Sequence, residues 1–460
     1  MSDQPPVDPP HVDPPSLDPL PFDGQALPVT TDNAEDAGRR THPLTGLVQG
    51  LLWAAAAFVA IVGSILGRTD GGVATVVFSV GGAAAAGLLI GLLAGYVTWY
   101  FTRFVIDATE LRITRGFLFK QSRRIPFERI QAVDVAEPFI ARIIGLAELH
   151  IDMAGGHESR TTLRYLPLND VRQLRRLLLA RAHGEELDDS GRPVADEART
   201  LITRVPPGRI VIGTLLSLDL VGAVIGLVAA VVAGIVAEQV LIALGGILPF
   251  GAAIVQIFTR RVLDQWDFTL SRGERGLRIE RGLLSRTSQT IPYDRVQGIA
   301  VKEPFVWRHL GWQRLEVDVA GYAGQSEQSG GHDSSTLLPI TDPALAEAVT
   351  AELVPSRTET LTIDRPTRRS WPFAPIGWRY RWTEARAGLV VSQRGWIERT
   401  TSLVPHHKVQ SVEIRQGPLQ RWRDVATVEV HSPPGPVDLD ADHLDAVDAR
   451  RFWRDQVTRI

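Results

Sequence analysis

The chain contains no cysteine, and only three of its 49 basic residues are lysines, at Lys120, Lys302 and Lys408. Without cysteine there is no disulfide bond, no cysteine-ligated zinc and no thiol catalysis. A basic excess is also lacking, because 52 acidic residues balance the basic ones. This balance argues against a nucleic-acid partner, whose binding requires a basic surface.

The N-terminus has no lysine or arginine before Arg39, and it lacks the apolar run of a secretory signal peptide. Residues 1–40 are rich in proline and aspartate, and such a segment buries too little apolar surface to offset the entropy of ordering. We therefore expect a disordered tail. The alternative is a ligand for a proline-recognition domain, which the same composition permits.

Charge is almost absent from four long apolar runs, at residues 43–67, 71–102, 210–237 and 239–259. A helix needs roughly 20 apolar residues to cross the hydrocarbon layer of a bilayer. A buried helix of a soluble protein is the alternative for any single run, but four runs favour a membrane protein. Taken in pairs, they predict two transmembrane hairpins, over residues 43–102 and 208–259.

Arginine flanks the predicted hairpins and is nearly absent from their tight turns, which hold Arg68 together with Asp70 and Glu238. The flanking arginines are Arg39, Arg40, Arg103, Arg204, Arg209, Arg260 and Arg261. Positively charged loops remain on the cytoplasmic side of a membrane. We therefore expect both termini and all large segments to lie in the cytoplasm.

One carboxylate, Asp219, falls about ten residues into the third apolar run. A charge at that depth is costly, so it indicates either a proton or ion relay or a protonated, hydrogen-bonded structural group. No second charge accompanies it within the runs, and this favours the structural role.

A short segment occurs three times, as IPFERIQAV (125–133), IPYDRVQGI (291–299) and VPHHKVQSV (404–412). We call the surrounding sequences repeats 1, 2 and 3. Without a gap, a shift of 166 positions aligns repeat 1 with repeat 2, and a shift of 113 aligns repeat 2 with repeat 3. The shared signature residues are Pro126, Gln131, Pro138, Pro292, Gln297, Pro304, Pro405 and Gln410.

Alternation of apolar and polar residues at 148–154 and 314–320 predicts half-buried strands, and residues 103–116 of repeat 1 have the pattern of a hairpin. Each repeat then ends in a helical pattern, with a candidate N-cap at Asn169 or Asp170 in repeat 1 and at Thr341 or Asp342 in repeat 2. The sequence therefore predicts an α+β protein in which small β-barrels or sandwiches are each closed by a C-terminal helix.

Two apolar hairpins, each followed by a strand-rich unit with the pattern RG…IP…RIQ…EPF…G, resemble the bacterial membrane proteins that carry pleckstrin-homology-like (PH-like) domains of the second type. The likeness runs from about Leu44 to the C-terminus. It implies three PH-like domains, at residues 103–183, 260–355 and 376–460, with an acidic linker at 184–207 and a second linker at 356–375. Repeat 3 departs from the pattern, because QGP (416–418) replaces EPF and Asp424 replaces the glycine found at Gly145 and Gly311.

Few residues suggest catalysis or metal binding. His157 with Asp152, and His332 with Asp333, are candidate general bases, but their Gly-Gly-His context favours flexible loops, and no nucleophile accompanies them. The adjacent histidines of PHH (405–407) supply at most half of a metal-ligand set. We therefore expect no catalytic, cofactor or metal site, and no enzymatic activity.

Repeat 1 carries a basic cluster that consists of Arg112, Arg115, Lys120, Arg123 and Arg124. Residues 103–183 hold 14 basic and 9 acidic residues, whereas residues 260–354 hold 11 and 13. The cluster is a candidate contact with anionic lipid headgroups, each basic residue contributing about 1 kcal/mol. A solvated strand face is the alternative.

Together these features predict a non-catalytic, multi-pass protein of the bacterial inner membrane. Its cytoplasmic domains would act as a scaffold that binds membrane lipids or a protein partner, and homo- or hetero-oligomers are compatible with this role. The alternative is a subunit of a transport or export complex, with Asp219 in the membrane path.

Overall fold

The structure is a computed structural model. It describes residues 101–459 with gaps at 108, 117–120, 154–159, 184–199, 321–334, 355–359, 433–434 and 436, together with part of residues 82–100 and three short strands before them. Apart from those strands, the predicted tail (1–40) lies outside the described residues. Most of the first predicted hairpin (43–102) also lies outside the described residues, apart from parts of an apolar helical segment, Leu89–Phe101.

Repeat 1 follows two short strands, β1 (Pro21–Phe22) and β2 (Gln25–Ala26). Its elements in chain order are β3 (Arg39–Arg40), β4 (Arg103–Ile106), β5 (Glu110–Arg115), β6 (Gln121–Pro126), β7 (Ile130–Glu137), α1 (Phe139–Ile143), β8 (Leu146–Met153), β9 (Arg160–Pro167) and α2 (Leu168–His183).

Repeat 2 has three helices between its first two strands. Its elements are β10 (Thr200–Arg204), α3 (Pro207–Leu215), α4 (Leu218–Val236), α5 (Val240–Phe258), β11 (Thr269–Arg272), β12 (Gly276–Arg281), β13 (Arg286–Pro292), β14 (Val296–Pro304), α6 (Phe305–His309), β15 (Gln313–Val319), β16 (Thr336–Thr341) and α7 (Pro343–Leu353).

Repeat 3 has no long helix in the equivalent place. Its elements are β17 (Thr360–Asp364), β18 (Trp382–Arg386), β19 (Leu389–Arg394), β20 (Glu398–Pro405), β21 (Ser411–Arg415), α8 (Pro418–Trp422), β22 (Val425–His431), β23 (Leu439–Asp445) and α9 (Ala446–Val457).

Two segments predicted as linkers contain strands. β10 lies within the predicted linker 184–207 and β17 within 356–375, and each pairs antiparallel with the strand that follows the next insertion, β11 or β18. The sequence prediction missed them because each strand has only five residues, too few to stand out from the surrounding linker sequence.

Each repeat contributes an entry group of four strands and a second group of three. Strand pairing joins successive repeats, because β7 of repeat 1 pairs with β13 of repeat 2, and β14 of repeat 2 pairs with β20 of repeat 3. Two seven-stranded sheets result, in the orders β10-β11-β12-β13-β7-β8-β9 and β16-β15-β14-β20-β19-β18-β17. The sequence predicts self-contained units and does not predict this joining.

Contacts divide the chain into two compact units, and the first comprises residues 1–129 and 167–194. In unit 1 the inward residues of β5 and β6, such as Leu111, Ile113 and Ile125, are buried, as are Leu174 and Leu178 of α2. Helix α2 packs against the 3₁₀ turn that follows β6.

Unit 2 comprises residues 130–166 and 195–460 and holds two cores. The core of repeat 2 packs its entry strands, through Phe268 and Leu277, against its second group, through Leu315, and against Val349 of α7. The core of repeat 3 includes Val428 and Ala449 in the same roles. Repeats 2 and 3 are therefore small sandwiches in which a helix covers part of the core.

Helices α4 and α5 pack against each other, and among the described residues they are the two that are long and apolar enough to cross a membrane. Most of the apolar surface of α4 is exposed, including Val232, Ile235 and Val236. Large exposed apolar surfaces mark contacts with lipid or with partners. The pair therefore suits a membrane hairpin.

The repeated proline segment forms a corner between the two strand groups. Pro126, Pro292 and Pro405 each end the last entry strand, and a 3₁₀ turn follows before the next strand. Proline suits this place because its ring fixes φ near −65° for the extended-to-turn transition.

The remaining signature residues follow the corner in the chain, at the start or at the far end of the next strand. Pro138 and Pro304 precede α1 and α6. Gln297 is buried and donates to the Arg295 carbonyl at 3.2 Å, Gln410 uses its backbone N–H to reach His431, and Gln131 is exposed.

Candidate functional site

The predicted basic cluster of repeat 1 is partly neutralised by neighbouring acids. Arg112 lies 3.1 Å from a carboxylate oxygen of Glu110 and 3.5 Å from one of Asp107, and Arg124 lies 3.8 Å from Glu110. Arg123 and Arg124 are adjacent on β6, so their side chains point to opposite faces. The side chain of Arg115 and the whole of Lys120 lie outside the described residues.

Asp219 lies in a different place from the one predicted. The third apolar run breaks at Ser217, whose hydroxyl donates to the Thr214 carbonyl at 2.7 Å and accepts from the N–H of Leu220. A new helix, α4, begins at Leu218, so Asp219 occupies its first turn and forms an ion pair with Arg261, just beyond α5. The sequence analysis assumed one continuous helix over residues 210–237, whereas the structure has two, and Asp219 therefore stands at the start of the second.

The histidine candidates gain no support as a catalytic set. His157, His332 and Asp333 lie outside the described residues. Asp152 is occupied by the Nε of Arg160 at 2.8 Å. His406 is buried, with its Nε2 3.1 Å from the Arg386 carbonyl oxygen, and burial lowers its pKa, which opposes its protonation.

One group of side chains in the described part of the chain has the spacing of metal ligands. Glu413, Glu429 and His431 bring their ligand atoms within 4.8 Å of one another. Arg415, however, donates to Glu429 at 2.9 Å and lies 3.8 Å from Glu413. Arg415 already pairs with both carboxylates, so the group is better described as a salt-bridge network.

A segment predicted mostly as a linker forms the most distinctive surface. Residues 365–381 connect β17 to β18, at the place where α3, α4 and α5 connect β10 to β11 in repeat 2. The segment contains two 3₁₀ turns, and its side chains Trp371 and Ile376 are exposed.

Several contacts fix this segment to repeat 3. Arg369 lies 3.3 Å from Asp424 and 3.4 Å from Asp445, while Arg381 forms an ion pair with Asp442. The ring of Phe373 also stacks on His443 with centroids 5.1 Å apart. The exposed aromatic side chains are therefore held on an anchored backbone.

Between the segment and the body of repeat 3 lies an open groove of about 740 Å³. Three arginines line it: Arg368, Arg379 and Arg423. The aromatic lining comes from Trp371, Trp378, Tyr380 and Trp396. No acidic residue is among the residues that line this groove, so its charge is positive.

Two of the groove arginines are held by aromatic rings. Arg379 lies over the ring of Trp378 at 5.4 Å, and Arg423 lies over Trp422 at 5.3 Å. The Nε of Arg423 is buried and has no hydrogen-bond partner among the described residues. Arginine donors in a fork geometry suit phosphate and carboxylate groups, and tryptophan favours the boundary between water and lipid.

The sequence prediction missed this groove because it divided the segment between a linker and the start of a domain. The available signal was local composition, since four arginines and three tryptophans occur within residues 368–382 (Arg368, Arg369, Arg379, Arg381, Trp371, Trp378 and Trp382). Trp396 and Arg423 could not have been added from sequence, because only the fold brings them to the segment.

The apolar helix pair and the repeated sandwiches define a membrane protein with PH-like domains. The chain belongs to the bacterial PH domain family, whose model matches residues 51–182, 211–356 and 361–456. This match confirms the resemblance drawn from the repeated motif, including its three copies.

The chain is also similar to the UPF0699 transmembrane protein YdbT of Bacillus subtilis (strain 168). The two are 22% identical over 315 residues, which cover 63% of this chain and 63% of the relative. The chain thus matches less than two thirds of that relative's length. No solved structure matches it.

Proposed function

We propose that this protein is a non-catalytic membrane scaffold whose PH-like domains lie on the cytoplasmic face, and that the groove of repeat 3 binds anionic lipid headgroups. The observation that carries the proposal is the position of residues 365–381. The segment connects the paired strands β17 and β18, just as α3, α4 and α5 connect the paired strands β10 and β11 in repeat 2. A segment in that place carries exposed tryptophan and groove-lining arginine instead of a hairpin.

The hairpin tip of the entry group supports the same comparison. In repeat 2 the N–H of Leu283, at the tip between β12 and β13, donates to the Leu263 carbonyl just beyond α5. In repeat 3 the equivalent residue, Trp396, lines the groove beside Trp371. The tip therefore faces the insertion in both repeats, through a hydrogen bond in repeat 2 and across the groove in repeat 3, and only the type of insertion differs.

The inner leaflet of a bacterial membrane is the anionic surface that this groove would meet. Anionic headgroups attract basic residues by about 1 kcal/mol each. Indole rings add stability at the interface because they combine an apolar body with one hydrogen-bond donor. Cytoplasmic placement follows from the arginine-rich flanks and remains part of the proposal.

The absence of cysteine permits a direct test. Ile376→Cys would place one thiol on the segment, and Val447→Cys would place one on α9 at a similar exposure, 69% against 61%. Each full-length variant would carry a polarity-sensitive dye in nanodiscs that contain a spin-labelled lipid. We expect strong quenching at position 376 in phosphatidylglycerol discs and little at position 447.

Charge reversal gives the second arm of the test. Arg368→Glu combined with Arg379→Glu should reduce the quenching at position 376, and Arg450→Glu, on exposed α9, should not. Quenching that is equal at positions 376 and 447, or equal in neutral and anionic discs, would refute headgroup binding by the groove.

The transport alternative has less support. A relay within the membrane needs a charged group near the bilayer centre. Asp219 lies instead in the first turn of α4, paired with Arg261. This arrangement suits an ion pair that holds the cytoplasmic ends of α4 and α5 together.

A further inference from the structure

In the described chain, two strands lie at the edges of their sheets, whereas the equivalent strands of the other repeats lie inside theirs. β6 is the last strand of the sheet β3-β4-β5-β6, and β21 is the first strand of the sheet β21-β22-β23. The equivalents of β6 are β13 and β20, and the equivalents of β21 are β7 and β14. Each of these four strands pairs across a junction between repeats. The described chain therefore retains one unused strand of each type.

The two internal junctions share one register. At the first, Arg286 lies opposite Glu137 and Ser288 lies opposite Val135. At the second, the equivalent residues are opposite one another, with Arg399 facing Glu303 and Thr401 facing Val301. When the repeats are aligned at shifts of 166 and 113, each residue pair of the first junction has an equivalent pair at the second junction. The junction is thus a repeated feature of the fold.

A side-chain contact recurs with this register. At the first junction Arg142 of α1 donates to the Leu283 carbonyl at 2.7 Å. At the second, the equivalent Arg308 of α6 donates to the Trp396 carbonyl, also at 2.7 Å. Repeat 3 has Arg421 at this position, and its guanidinium has no hydrogen bond among the described residues.

Exposure also distinguishes the unused strands from their paired equivalents. Ala136 of β7 is 8% exposed, whereas its counterpart on β21, Arg415, is exposed. Gln289 and Ser402, on β13 and β20, are buried, whereas their counterpart on β6 is partly exposed. A covering strand buries the backbone edge and its neighbouring side chains, and within the described residues neither edge has one.

We propose that β21 of one molecule pairs with β6 of a second molecule in the register of the internal junctions. This would place Arg415 opposite Gln121, Ile414 opposite Ser122, and Glu413 opposite Arg123. Opposite charges directly across antiparallel strands stabilise the pairing. Arg421 would supply the contact that Arg142 and Arg308 make at the internal junctions.

The length of the proposed pairing is limited by a side chain that already contacts the open edge of β21. The indole of Trp453 donates to the Val412 carbonyl at 2.9 Å, so the pairing begins at Glu413. The first internal junction is equally short, with its register confined to the pairs between Arg286–Glu137 and Ser288–Val135. A contact of this size is weak in solution, but confinement of both molecules to one membrane raises their effective concentration.

The contact is heterologous, since it joins two different surfaces of the same chain. Such contacts generate a closed ring if the rotation between neighbours closes, and an open filament if it does not. The proposal therefore makes this protein a head-to-tail assembly in which the sheets of neighbouring molecules are continuous, as those of neighbouring repeats are.

Crosslinking in the cysteine-free chain tests the pairing. Full-length Ser122→Cys and full-length Ile414→Cys, carrying different affinity tags, would be reconstituted together in liposomes and treated with a short bismaleimide reagent. We expect a crosslinked species of twice the chain mass that carries both tags. Val447→Cys replaces Ile414→Cys in the control, and no such species should form. Val135→Cys with Ser288→Cys in one chain calibrates the yield, because these residues face each other at the internal junction.

Arg421→Ala gives a second measurement. In the Ile414→Cys background this substitution should lower the yield about fivefold, since it removes one charge-assisted hydrogen bond, while Arg450→Ala should leave it unchanged. If the calibrating pair crosslinks and the mixed pair does not, the proposal is refuted. It is also refuted if Ser122→Cys and Ile414→Cys in the same chain crosslink within discs that hold a single molecule, since the edges would then meet without a second copy. These results do not depend on whether the groove of repeat 3 binds lipid.

Discussion

Repeats 2 and 3 share their strands but differ in what lies between the first two. In repeat 2 the buried Trp307 of α6 donates its indole N–H to the Gly213 carbonyl of α3 at 3.2 Å. The equivalent residue in repeat 3 is Gln420, whose side chain accepts from the N–H of Gly417 and reaches His443 at 3.0 Å. One position thus secures a helix in repeat 2 and caps its own short helix in repeat 3.

The difference shows that the strand framework tolerates either insertion. The strands on the two sides of the insertion pair antiparallel in both repeats. These are β10 with β11 in repeat 2, and β17 with β18 in repeat 3. What changes is the small set of side chains that anchors the insertion. The following substitutions test those anchors and related pairs of equivalent positions.

The largest effect is expected for Trp307→Ala. The side chain is 2% exposed, contacts α3 and lies under the guanidinium of Arg314 at 5.5 Å. Removal of a buried aromatic side chain typically costs about 3–5 kcal/mol because a cavity remains. Urea unfolding in detergent, followed by circular dichroism, should show this loss.

Gln420→Ala is the matched control in repeat 3. It removes a cap and a polar contact at a partly exposed site, and we expect a loss of about 1 kcal/mol. Equal losses for the two variants would contradict the view that Trp307 secures the helices of repeat 2.

A second comparison concerns one carboxyl position in two environments. In repeat 1 Asp152 pairs with Arg160, whereas in repeat 2 the equivalent Asp318 has one buried oxygen without a hydrogen-bond partner among the described residues. Burial raises the pKa of Asp318 to about 7, and a backbone hydrogen bond from Val319 lowers it to a smaller extent. Asp318→Asn should therefore stabilise the protein by about 1–3 kcal/mol at pH 8.

The pH dependence of this gain has a definite sign. The folded state holds the Asp318 proton more tightly than the unfolded state, where the pKa is 3.8. The native chain thus loses stability relative to Asp318→Asn as the pH rises from about 4 to about 7, and the difference is constant above that. Thermal midpoints of both proteins between pH 4 and pH 8 would measure it. A constant difference over that range would contradict the assignment.

For comparison, Asp152→Asn should destabilise the protein at pH 7, because it breaks the pair with Arg160. A gain in stability would mean that the two positions have the same environment after all.

The smallest effect is expected at the turn after the short helix of each repeat. Gly145, Gly311 and Asp424 occupy equivalent positions with φ of 73°, 65° and 55°. Glycine adopts this left-handed conformation without the cost of about 1 kcal/mol that a side chain adds. Gly311→Ala should destabilise by about that amount, since no atom crowds the site of the new Cβ.

Asp424→Gly is the opposite substitution. It relieves the backbone but loses the contact with Arg369, so we expect a gain below about 1 kcal/mol. Thermal unfolding of both variants in one detergent would rank them. A gain for Gly311→Ala would refute the backbone argument.

Periodic or repeated features of the sequence predicted much of the molecule. The apolar runs predicted α4 and α5, and the recurring proline segment predicted three equivalent units. The gap-free alignment also placed Asp424 opposite Gly145 and Gly311, and the structure has all three at positive φ. Such features are local, so hydropathy and turn chemistry specify them.

Other features were decided only by the tertiary structure. The contact that fixes α3, ahead of the break at Ser217, comes from Trp307, a residue 90 positions away from that break in sequence. The groove needs Trp396 and Arg423 to meet residues 365–381. The sheets that join successive repeats are held by backbone hydrogen bonds, and backbone groups are the same in every residue. Sequence alone therefore determined the repeated units and the membrane helices, whereas the pairing of strand edges and the meeting of distant side chains arose only on folding.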